Sequence, residues 1–356
     1  MRKVLVFILV VVILSACGCE FIKKMPETPV EEVVHLYAEP EAVPQSILEA
    51  FTAQTGIKVK CYKLTDLERA HRKIATGVSP FDLVLADNVT LERMAEADLL
   101  QTIDMQKLSN AGLIKPGAKT LLAPYAQDKI MPYSRTCAVL VHDVARTLTP
   151  VIAYSSLWGY GFANAVNVPA DARLMSAVAL KARAYSVNTA VETQLKETRE
   201  SLCALKNNTF SNVSKTPHLD VAAGQGALTV AWAKDAQDAK NANPNLEVLY
   251  PAEGAIIKLT GFALPKSAPH TQNAYELLNF LLRGENNAAI SMNLQEESLH
   301  TQIADYTGES YTNMLAVHMA GKYVSGVECL QYTGLQDTYN SIWEDYLKAS
   351  EETDDL

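Results

Sequence analysis

The sequence predicts an α/β protein built of two lobes. Its 356 residues, even without a leader over residues 1–16, are enough for two ordinary domains that each bury a core. Strand and helix patterns alternate in the first third of the chain, and a similar rhythm recurs in the middle. This alternation is typical of a parallel sheet with helical crossovers, whose ligands bind in the crevice outside the carboxyl ends of the strands.

The first third contains five segments with clear periodicity. They are strand VVHLYA (33–38), helix PQSILEAFTAQTG (44–56), strand IKVKCY (57–62), helix LERAHRKIATG (67–77) and strand FDLVLAD (81–87). In the first helix, Pro44 suits the first turn and Gly56 suits the position just after the last. Ile47, Leu48 and Phe51 share one face, which predicts an amphipathic helix.

The remaining segments continue this pattern towards the C-terminus. We predict helices near 174–206, strand GALTVAW (226–232), helix AKDAQDAKNA (233–242), strand AIIKLTGFALP (255–265), helix TQNAYELLNFLLRG (271–284) and a final helix DTYNSIWEDYLKASEE (337–352). Gly284 is expected to end its helix. No segment after the N-terminus has the roughly 18 apolar residues that a membrane span needs.

The N-terminus predicts a secretory signal peptide over residues 1–16. Arg2 and Lys3 precede an apolar run from Val4 to Leu14, and small residues follow that run. The run is too short for a helix that spans a membrane. We therefore expect this segment to direct export and to be removed.

The signal segment ends in LSAC (14–17), which looks like a bacterial lipobox. In that motif the chain is cut before the cysteine, here Cys17, and the thiol receives a diacylglycerol that holds the protein on a membrane. An ordinary signal peptide followed by an accidental cysteine is the alternative. Residues 17–31, with Pro26 and Pro29, predict a flexible tether between the membrane and the folded body.

Composition limits the classes of partner. The chain has 31 Lys and Arg against 40 Asp and Glu, for a net charge of −9. This balance argues against nucleic acid or an anionic membrane surface as the main partner, and it allows attraction of cations. Beyond the tether the cysteines stand singly, at Cys61, Cys137, Cys203 and Cys329. Their spacing favours buried lone thiols over a disulfide framework and predicts no metal site.

Signatures of catalysis are missing from the sequence. No Walker loop, GxGxxG, GxSxG or HExxH motif occurs, and the seven histidines are scattered. The GQG at 224–226 precedes a strand and predicts a turn. The sequence therefore predicts neither an enzyme nor a cofactor.

Several stretches resemble the spermidine/putrescine-binding proteins of bacterial ABC importers. In chain order these are SILEAFTAQTGIKVKCY, PFDLVLADN, PADARLMSAVAL, VLYPAEGAIIKLTGFALPKSA and AYELLNFLLRG. The resemblance implies a type II-like periplasmic-binding-protein fold, in which two α/β lobes joined by hinge strands close on a ligand in the cleft between them. It further implies one lobe from 32–140 with 257–305, and a second from 141–256 with 306–356.

The resemblance also implies ligand-binding residues in the first lobe. The acidic residue of the family's first loop matches Glu41, while Ala42 stands where the family has an aromatic ring. After the third strand, where the family has a serine with a nearby tyrosine, this chain offers Asp87.

In the second lobe, the family motif DDAR is matched by ADAR, which keeps Asp171 and Arg173. A serine of the loop before the next strand matches Ser214, and the tryptophan at the end of that strand matches Trp232. Carboxylates neutralise the ammonium groups of a polyamine, and aromatic faces cover its methylenes and attract its charge.

The largest departure of this sequence from the family lies at the last of the family's ligand-binding positions. There the family has a tryptophan and, two residues on, an aspartate that grips an amine; this chain has Lys258 and Thr260. A lysine facing a ligand ammonium about 4 Å away costs on the order of 4 kcal/mol at an effective dielectric near 20. A shorter diamine held by Glu41, Asp171 and Trp232 is one outcome, and a ligand with an anionic group is another.

Each of these residues also has a purely structural interpretation. Trp232 could belong to the core, and Asp171 with Arg173 could form only an ion pair. Glu41 could interact with the N-terminus of the helix that follows it. Lys258 alternates with apolar neighbours, so it could lie on a solvated strand face.

Three functions follow, in order of support. The first is a solute-binding lipoprotein of an ABC importer, anchored at Cys17 on the periplasmic side of a bacterial membrane, which binds a polyamine and docks on a permease. The second keeps the fold with a changed ligand, zwitterionic or anionic, for which Lys258 and Arg173 would be partners. The third is a surface lipoprotein with no small ligand.

Overall fold

A computed structural model describes residues 32–39, 41–63, 67–77, 80–147, 149–211, 213–315 and 326–349. The predicted signal peptide over 1–16 and the segment 17–31, with the lipid anchor predicted at Cys17, lie outside the described residues. Contacts join the described residues from Val33 onward into one unit. The described part of the chain has no helix long and apolar enough to cross a membrane.

Strands and helices alternate as the sequence predicts. The strands of the described ranges are β1 (Val33–Ala38), β2 (Lys58–Lys63), β3 (Leu83–Asp87), β4 (Met131–Asp143), β5 (Val166–Asn167), β6 (Leu228–Trp232), β7 (Leu246–Leu249), β8 (Ile256–Ala263), β9 (Glu297–Ser298) and β10 (Glu328–Cys329). Their α-helices are α1 (Gln45–Thr55), α2 (Leu67–Ala75), α3 (Asn88–Glu96), α4 (Ala172–Ala182), α5 (Glu192–Leu205), α6 (Pro217–Ala222), α7 (Ala233–Ala242), α8 (Thr271–Leu281), α9 (Gly284–Leu294), α10 (Glu309–Met314) and α11 (Gln336–Lys348).

The first sheet has the order β2-β1-β3-β8-β4. β1 pairs in parallel with β2 and β3, and α1 and α2 make the crossovers between them. Ile47, Leu48 and Phe51 are the buried face of α1, as predicted. The helix ends at Gly56, whose φ of 79° is the left-handed conformation that glycine adopts at no steric cost.

A second sheet consists of β4, β6, β5 and β7, so the strand β4 belongs to both sheets. From Met131 to Cys137 it pairs antiparallel with β8, and from Ala138 to Asp143 it pairs with β6 and β7. Alternate residues of β4 enter different hydrophobic clusters: Val139 lies in the first and Leu140 in the second. The sequence interpretation did not include β4. The lobe boundaries implied by the resemblance stay a prediction.

The second hydrophobic cluster contains the C-terminal helix. Tyr339, Ile342 and Tyr346 are the buried side chains of α11, and they pack with residues of α4 and α5. The predicted final helix is therefore present. Its apolar stripe, three or four residues apart, is what places it on this core.

The prediction that Gly284 ends its helix is wrong. α8 ends at Leu281, and Gly284 is the first residue of α9. The glycine is needed for a close approach, because a Cβ at this position would lie 2.0 Å from Cε2 of Tyr306. The ring of Tyr306, rather than the backbone conformation, explains the glycine.

The four cysteines beyond the tether form no disulfide among the described residues. Cys137 and Cys329 are buried in the first hydrophobic cluster, Cys203 is half-buried and Cys61 is exposed. Burial raises the pKa of Cys329 and, less strongly, that of Cys61. The interpretation as buried lone thiols holds for two of the four.

The short strand β10 joins the C-terminal segment to α4 through Glu328. The carboxylate of Glu328 accepts hydrogen bonds from Nζ of Lys181 at 2.5 Å and from Oγ of Ser186 at 2.8 Å. Burial opposes ionisation of Glu328, but these two hydrogen bonds and the charge of Lys181 outweigh it and lower the pKa of the carboxyl. The Lys181 side chain is only 6% exposed, so its ammonium depends on this partner.

Replacing Glu328 with glutamine is expected to lower the free energy of unfolding at pH 7 by about 3 kcal/mol, because it leaves the Lys181 ammonium buried without a counter-charge. The stabilisation that the Glu328 carboxylate gives the wild type is complete above the unfolded pKa near 4.5. It is lost as the pH falls through the lower pKa of the folded state. Urea unfolding at pH values from 7 down to 3.5 measures it. Glu200→Gln, at an exposed carboxylate, is the matched control. A difference that stays constant over this range would contradict the assignment.

Candidate functional site: a cavity between the two sheets

A cavity of about 270 Å³ lies between the two sheets, where β3 and β6 end. We call it the central cavity. Its charged lining residues are Glu39, Asp87, Lys234, Asp235, Lys258 and Glu296. Four carboxylates therefore face two ammonium groups, which leaves two negative charges uncompensated when all six groups are ionised. The cavity opens at the carboxyl ends of the strands, as the α/β pattern predicts.

Lys258 and Trp232 meet in the central cavity. Lys258 comes from β8 in the first sheet, and Trp232 is the last residue of β6 in the second. Nζ of Lys258 lies 4.5 Å from the centroid of the indole ring, a distance at which the ring face attracts a cation. An ammonium of the chain itself thus covers the aromatic face that a ligand would use.

Glu296 brings a buried carboxylate to the cavity from the end of α9. Gln295 ends this helix with a φ of 53°, so the chain turns and Glu296 follows directly. The carboxylate accepts hydrogen bonds from Oγ of Ser134 at 2.5 Å and from Oγ1 of Thr260 at 3.0 Å. Burial raises the pKa of Glu296, while the Ser134 hydroxyl and the charge of Lys258 act against that rise.

The resemblance expects an aspartate at position 260. Thr260 stands there instead, and its hydroxyl contacts the carboxylate of Glu296. The family's aspartate is missing from position 260, and Glu296 places its oxygen against the hydroxyl that replaces it. Sequence reasoning missed Glu296, because it follows a helix far along the chain. The sequence offered one indication, a glutamate that follows a helix end and belongs to no apolar pattern.

Asp235 is a second lining residue that the sequence interpretation missed. It lies in the first turn of α7, three residues after Trp232. Burial raises the pKa of its carboxyl, and the charges of His218 and Lys258 lower it. Its signal is the sequence WAKD, in which the aspartate follows a strand end within one helical turn and so lies near the mouth of the cleft.

Asp87 lines the central cavity at the end of β3, and its carboxylate also caps α3. Oδ1 accepts a hydrogen bond from the backbone N–H of Thr90 at 3.0 Å, and Oδ2 accepts one from Oγ1 of Thr90 at 2.9 Å. Capping is the usual role of an aspartate before a helix. Ligand binding at Asp87 would have to share this carboxylate with the helix.

Glu41 lies outside the lining of the central cavity. It is exposed, with a φ of 64°, and it lines a neighbouring cavity of about 270 Å³. Glu39 and Ala42 line both cavities. The acid of this loop that reaches the central cavity is therefore Glu39, two residues before the predicted one.

Asp171 lines a side cavity of about 300 Å³ that shares Trp232 and Asp235 with the central one. Its carboxylate accepts a hydrogen bond from the backbone N–H of Leu174 at 2.9 Å and so caps α4. Asp171 therefore lines the side cavity and not the central cavity.

Arg173 and Ser214 line neither the central cavity nor the side cavity. Nη2 of Arg173 donates a hydrogen bond to Oδ1 of Asn188 at 2.9 Å, and its guanidinium lies 4.6 Å from the ring centroid of Tyr339. Burial lowers the pKa of Arg173. Oγ of Ser214 accepts from the backbone N–H of Thr216 at 3.1 Å, and its strand-like bridge to Pro169 supports the side cavity. Lys258 and Lys234, rather than Arg173, are the cations that line the central cavity.

Comparison with known proteins agrees with this architecture. The sequence profile of the family described as bacterial extracellular solute-binding protein matches residues 46–296. The spermidine/putrescine-binding periplasmic protein of Salmonella typhimurium is 30% identical over 256 residues, which cover 71% of this chain and 73% of that protein. Its counterpart from Escherichia coli is 26% identical over 319 residues, covering 89% and 88% of the two chains.

A solved structure shares the fold. The spermidine/putrescine ABC transporter substrate-binding protein of Streptococcus pneumoniae superposes with a TM-score of 0.79 at 20% sequence identity, covering 90% of this chain and 99% of the other. The two-lobe fold predicted from the resemblance is thereby confirmed. The chain belongs to the bacterial extracellular solute-binding protein family, together with the spermidine/putrescine-binding periplasmic proteins.

Proposed function

We propose that this protein captures a polyamine in the central cavity and delivers it to the permease of an ABC importer. The observation that carries the proposal is the set of four carboxylates and two ammonium groups around an aromatic face, with a net charge of −2 when all six are ionised. Two uncompensated charges match a diamine such as putrescine, which carries two ammonium groups. The names of the relatives from Salmonella typhimurium and Escherichia coli support the same ligand class.

The two sheets contribute different parts of this site. Glu39 and Asp87 approach from the first sheet, whereas Asp235 and Trp232 approach from the second. A diamine that bridges the carboxylates of both sides would favour the closed arrangement of the two lobes, and the permease would recognise that arrangement. In this proposal the indole of Trp232 covers the methylenes, and Glu296, held by Thr260, receives one ammonium.

The side cavity suits the extension of a longer polyamine. Asp171 and Asp235 line it together with one cation, Lys215, and it shares Trp232 with the central cavity. Capture and delivery are the whole of the proposed activity, and no catalytic role is assigned. The diacylglycerol proposed at Cys17 would keep the receptor beside the permease on the periplasmic side of the membrane.

A second candidate is supported by one contact. Because the Lys258 ammonium already covers Trp232, a ligand that carries a carboxylate beside its amine could pair with Lys258 instead of displacing it. Lys234 adds a second positive group to the same lining. The candidate ligand is then a zwitterion of the ω-amino acid class.

Titration calorimetry of the full chain separates these candidates. Putrescine is expected to bind one equivalent, whereas 1,4-butanediol, which has the same methylenes without charge, should give no heat. Heat with 4-aminobutanoate but not with putrescine would favour the second candidate. A chain that gives no heat with spermidine, putrescine or 4-aminobutanoate would favour the surface lipoprotein without a small ligand.

A further inference from the structure

A cluster of two histidines and an aspartate lies outside the ligand site. His35 belongs to β1, Asp82 precedes β3, and His270 precedes α8. Asp82 comes immediately before β3, whereas the central cavity is lined by Leu85, Ala86 and the rest of that strand's carboxyl end. The cluster therefore lies towards the end of β3 that is opposite to the central cavity.

The three side chains converge on one carboxylate oxygen. Oδ2 of Asp82 lies 3.0 Å from Nδ1 of His35 and 3.1 Å from Nδ1 of His270. Among the described residues, these three form the group whose candidate ligand atoms all lie within 4.8 Å of one another. The imidazole rings are tilted, with centroids 5.3 Å apart, so both nitrogens face the same point without a clash.

Backbone groups hold the carboxylate in this orientation. The N–H of His35 donates to Oδ2 at 2.8 Å, and the N–H of His270 donates to Oδ1 at 2.6 Å. Asp82 is fully buried, and these two bonds already join β1 to the start of α8. These backbone bonds orient the carboxylate by themselves, so the two imidazoles are not needed for that purpose. Their Nδ1 atoms lie beside the oriented oxygen as candidate metal ligands.

We propose that His35, Asp82 and His270 bind a divalent transition-metal ion of the zinc class. Zinc takes imidazole nitrogen and carboxylate oxygen at about 2.0–2.2 Å, so tetrahedral ligand atoms lie about 3.3 Å apart. The observed separations of 3.0 and 3.1 Å are within a few tenths of an ångström of that spacing. Binding would replace the two imidazole hydrogen bonds, and each neutral imidazole would carry its proton on Nε2 so that the Nδ1 lone pair faces the ion.

Access comes from one side. The His270 side chain is 24% exposed, whereas those of His35 and Asp82 are 11% and 0% exposed. An ion would enter past His270 and keep water as its remaining ligand. Because the three ligands come from β1, the segment before β3 and the start of α8, the bound ion would cross-link the first sheet to its covering helix.

Zinc binding to the full chain, measured by calorimetry, tests the proposal with the variant His270→Gln. Glutamine keeps a side-chain N–H for Asp82 but removes the imidazole ligand. One zinc equivalent is expected in the wild type, and this equivalent should be lost in the variant. The matched control is His142→Gln, because His142 is also buried beside a single carboxylate, at 3.4 Å from Glu247, without a third ligand.

Cobalt(II) gives a second readout that needs no variant. Cobalt held by nitrogen and oxygen is expected to show visible d–d bands without the near-ultraviolet charge-transfer band of thiolate ligands. Zinc should also raise the melting temperature of the wild type and of His142→Gln, but not that of His270→Gln. Absence of zinc binding, retention of the equivalent in His270→Gln, or a thiolate band would each overturn the proposal.

Discussion

Putrescine is expected to bind the Lys258→Met variant between about tenfold and a thousandfold more tightly than the wild type. An ammonium about 4 Å from a ligand ammonium costs on the order of 4 kcal/mol at an effective dielectric near 20, which is the upper bound of this gain. The lower bound applies if the flexible lysine swings aside when ligand enters. Methionine keeps most of the length of the side chain and frees the Trp232 face for the ligand.

Calorimetry with putrescine and 4-aminobutanoate measures both directions of this effect. Lys240→Met is the matched control, because it removes one ammonium from α7 outside the cavity, where Nζ donates to the carbonyl of Leu246. If the zwitterion is the ligand, Lys258→Met should weaken its binding instead. Weaker putrescine binding by Lys258→Met would contradict the view that Lys258 competes with the ligand.

Glu296→Gln is expected to weaken putrescine binding by about 10- to 150-fold. A hydrogen bond to a charged group contributes about 1.5–3 kcal/mol, and the glutamine amide cannot supply the charge. The amide oxygen can still accept from Ser134 or Thr260, so the loss would report on the ligand rather than on the fold. Because burial raises the pKa of Glu296, wild-type binding should strengthen as the pH rises through that raised value.

Affinity for putrescine between pH 5 and 8 checks both statements. In Glu296→Gln the contribution of this carboxyl to the pH dependence should disappear. Glu276→Gln, at an exposed position of α8, is the control for loss of one carboxylate elsewhere on the surface. A variant at Glu296 that binds as tightly as the wild type at every pH would remove this residue from the site.

The elements with strong periodicity could be predicted from the sequence, and β4 could not. The helices α1, α8 and α11 each show an apolar stripe that their buried residues match. β4 is buried along nearly all of its 13 residues, so it lacks the alternation that marks a half-exposed strand. Pro132 near its start further weakens the strand signal.

Part of the candidate site was predictable because its residues end a strand, and the family resemblance added Lys258 and Thr260 inside β8. Trp232 and Asp87 are the last residues of β6 and β3, and strand ends converge in an α/β fold whatever the sequence between them. Glu296 and Asp235 come from a helix end and a helix start, which carry no periodic signal.

Two predicted positions differ from the observed lining for local reasons. In the first loop, which has no periodicity, the acid that reaches the central cavity is Glu39 instead of Glu41. On α4, Arg173 lies two positions after the capping Asp171, and residues two apart on a helix do not share a face. The guanidinium accordingly points to Asn188 and Tyr339.

The strand shared by both sheets has a mechanical consequence. β4 changes its hydrogen-bonding partner from β8 to β6 between Cys137 and Ala138, and both residues are buried. A rotation of one sheet against the other would therefore change the torsion angles at this peptide and in the segments that join β7 to β8 and β10 to α11. Because both residues are buried among packed neighbours, a ligand that drew the two sheets together would turn whole layers rather than single side chains. That rotation is a signal that a membrane protein could detect from outside without touching the ligand.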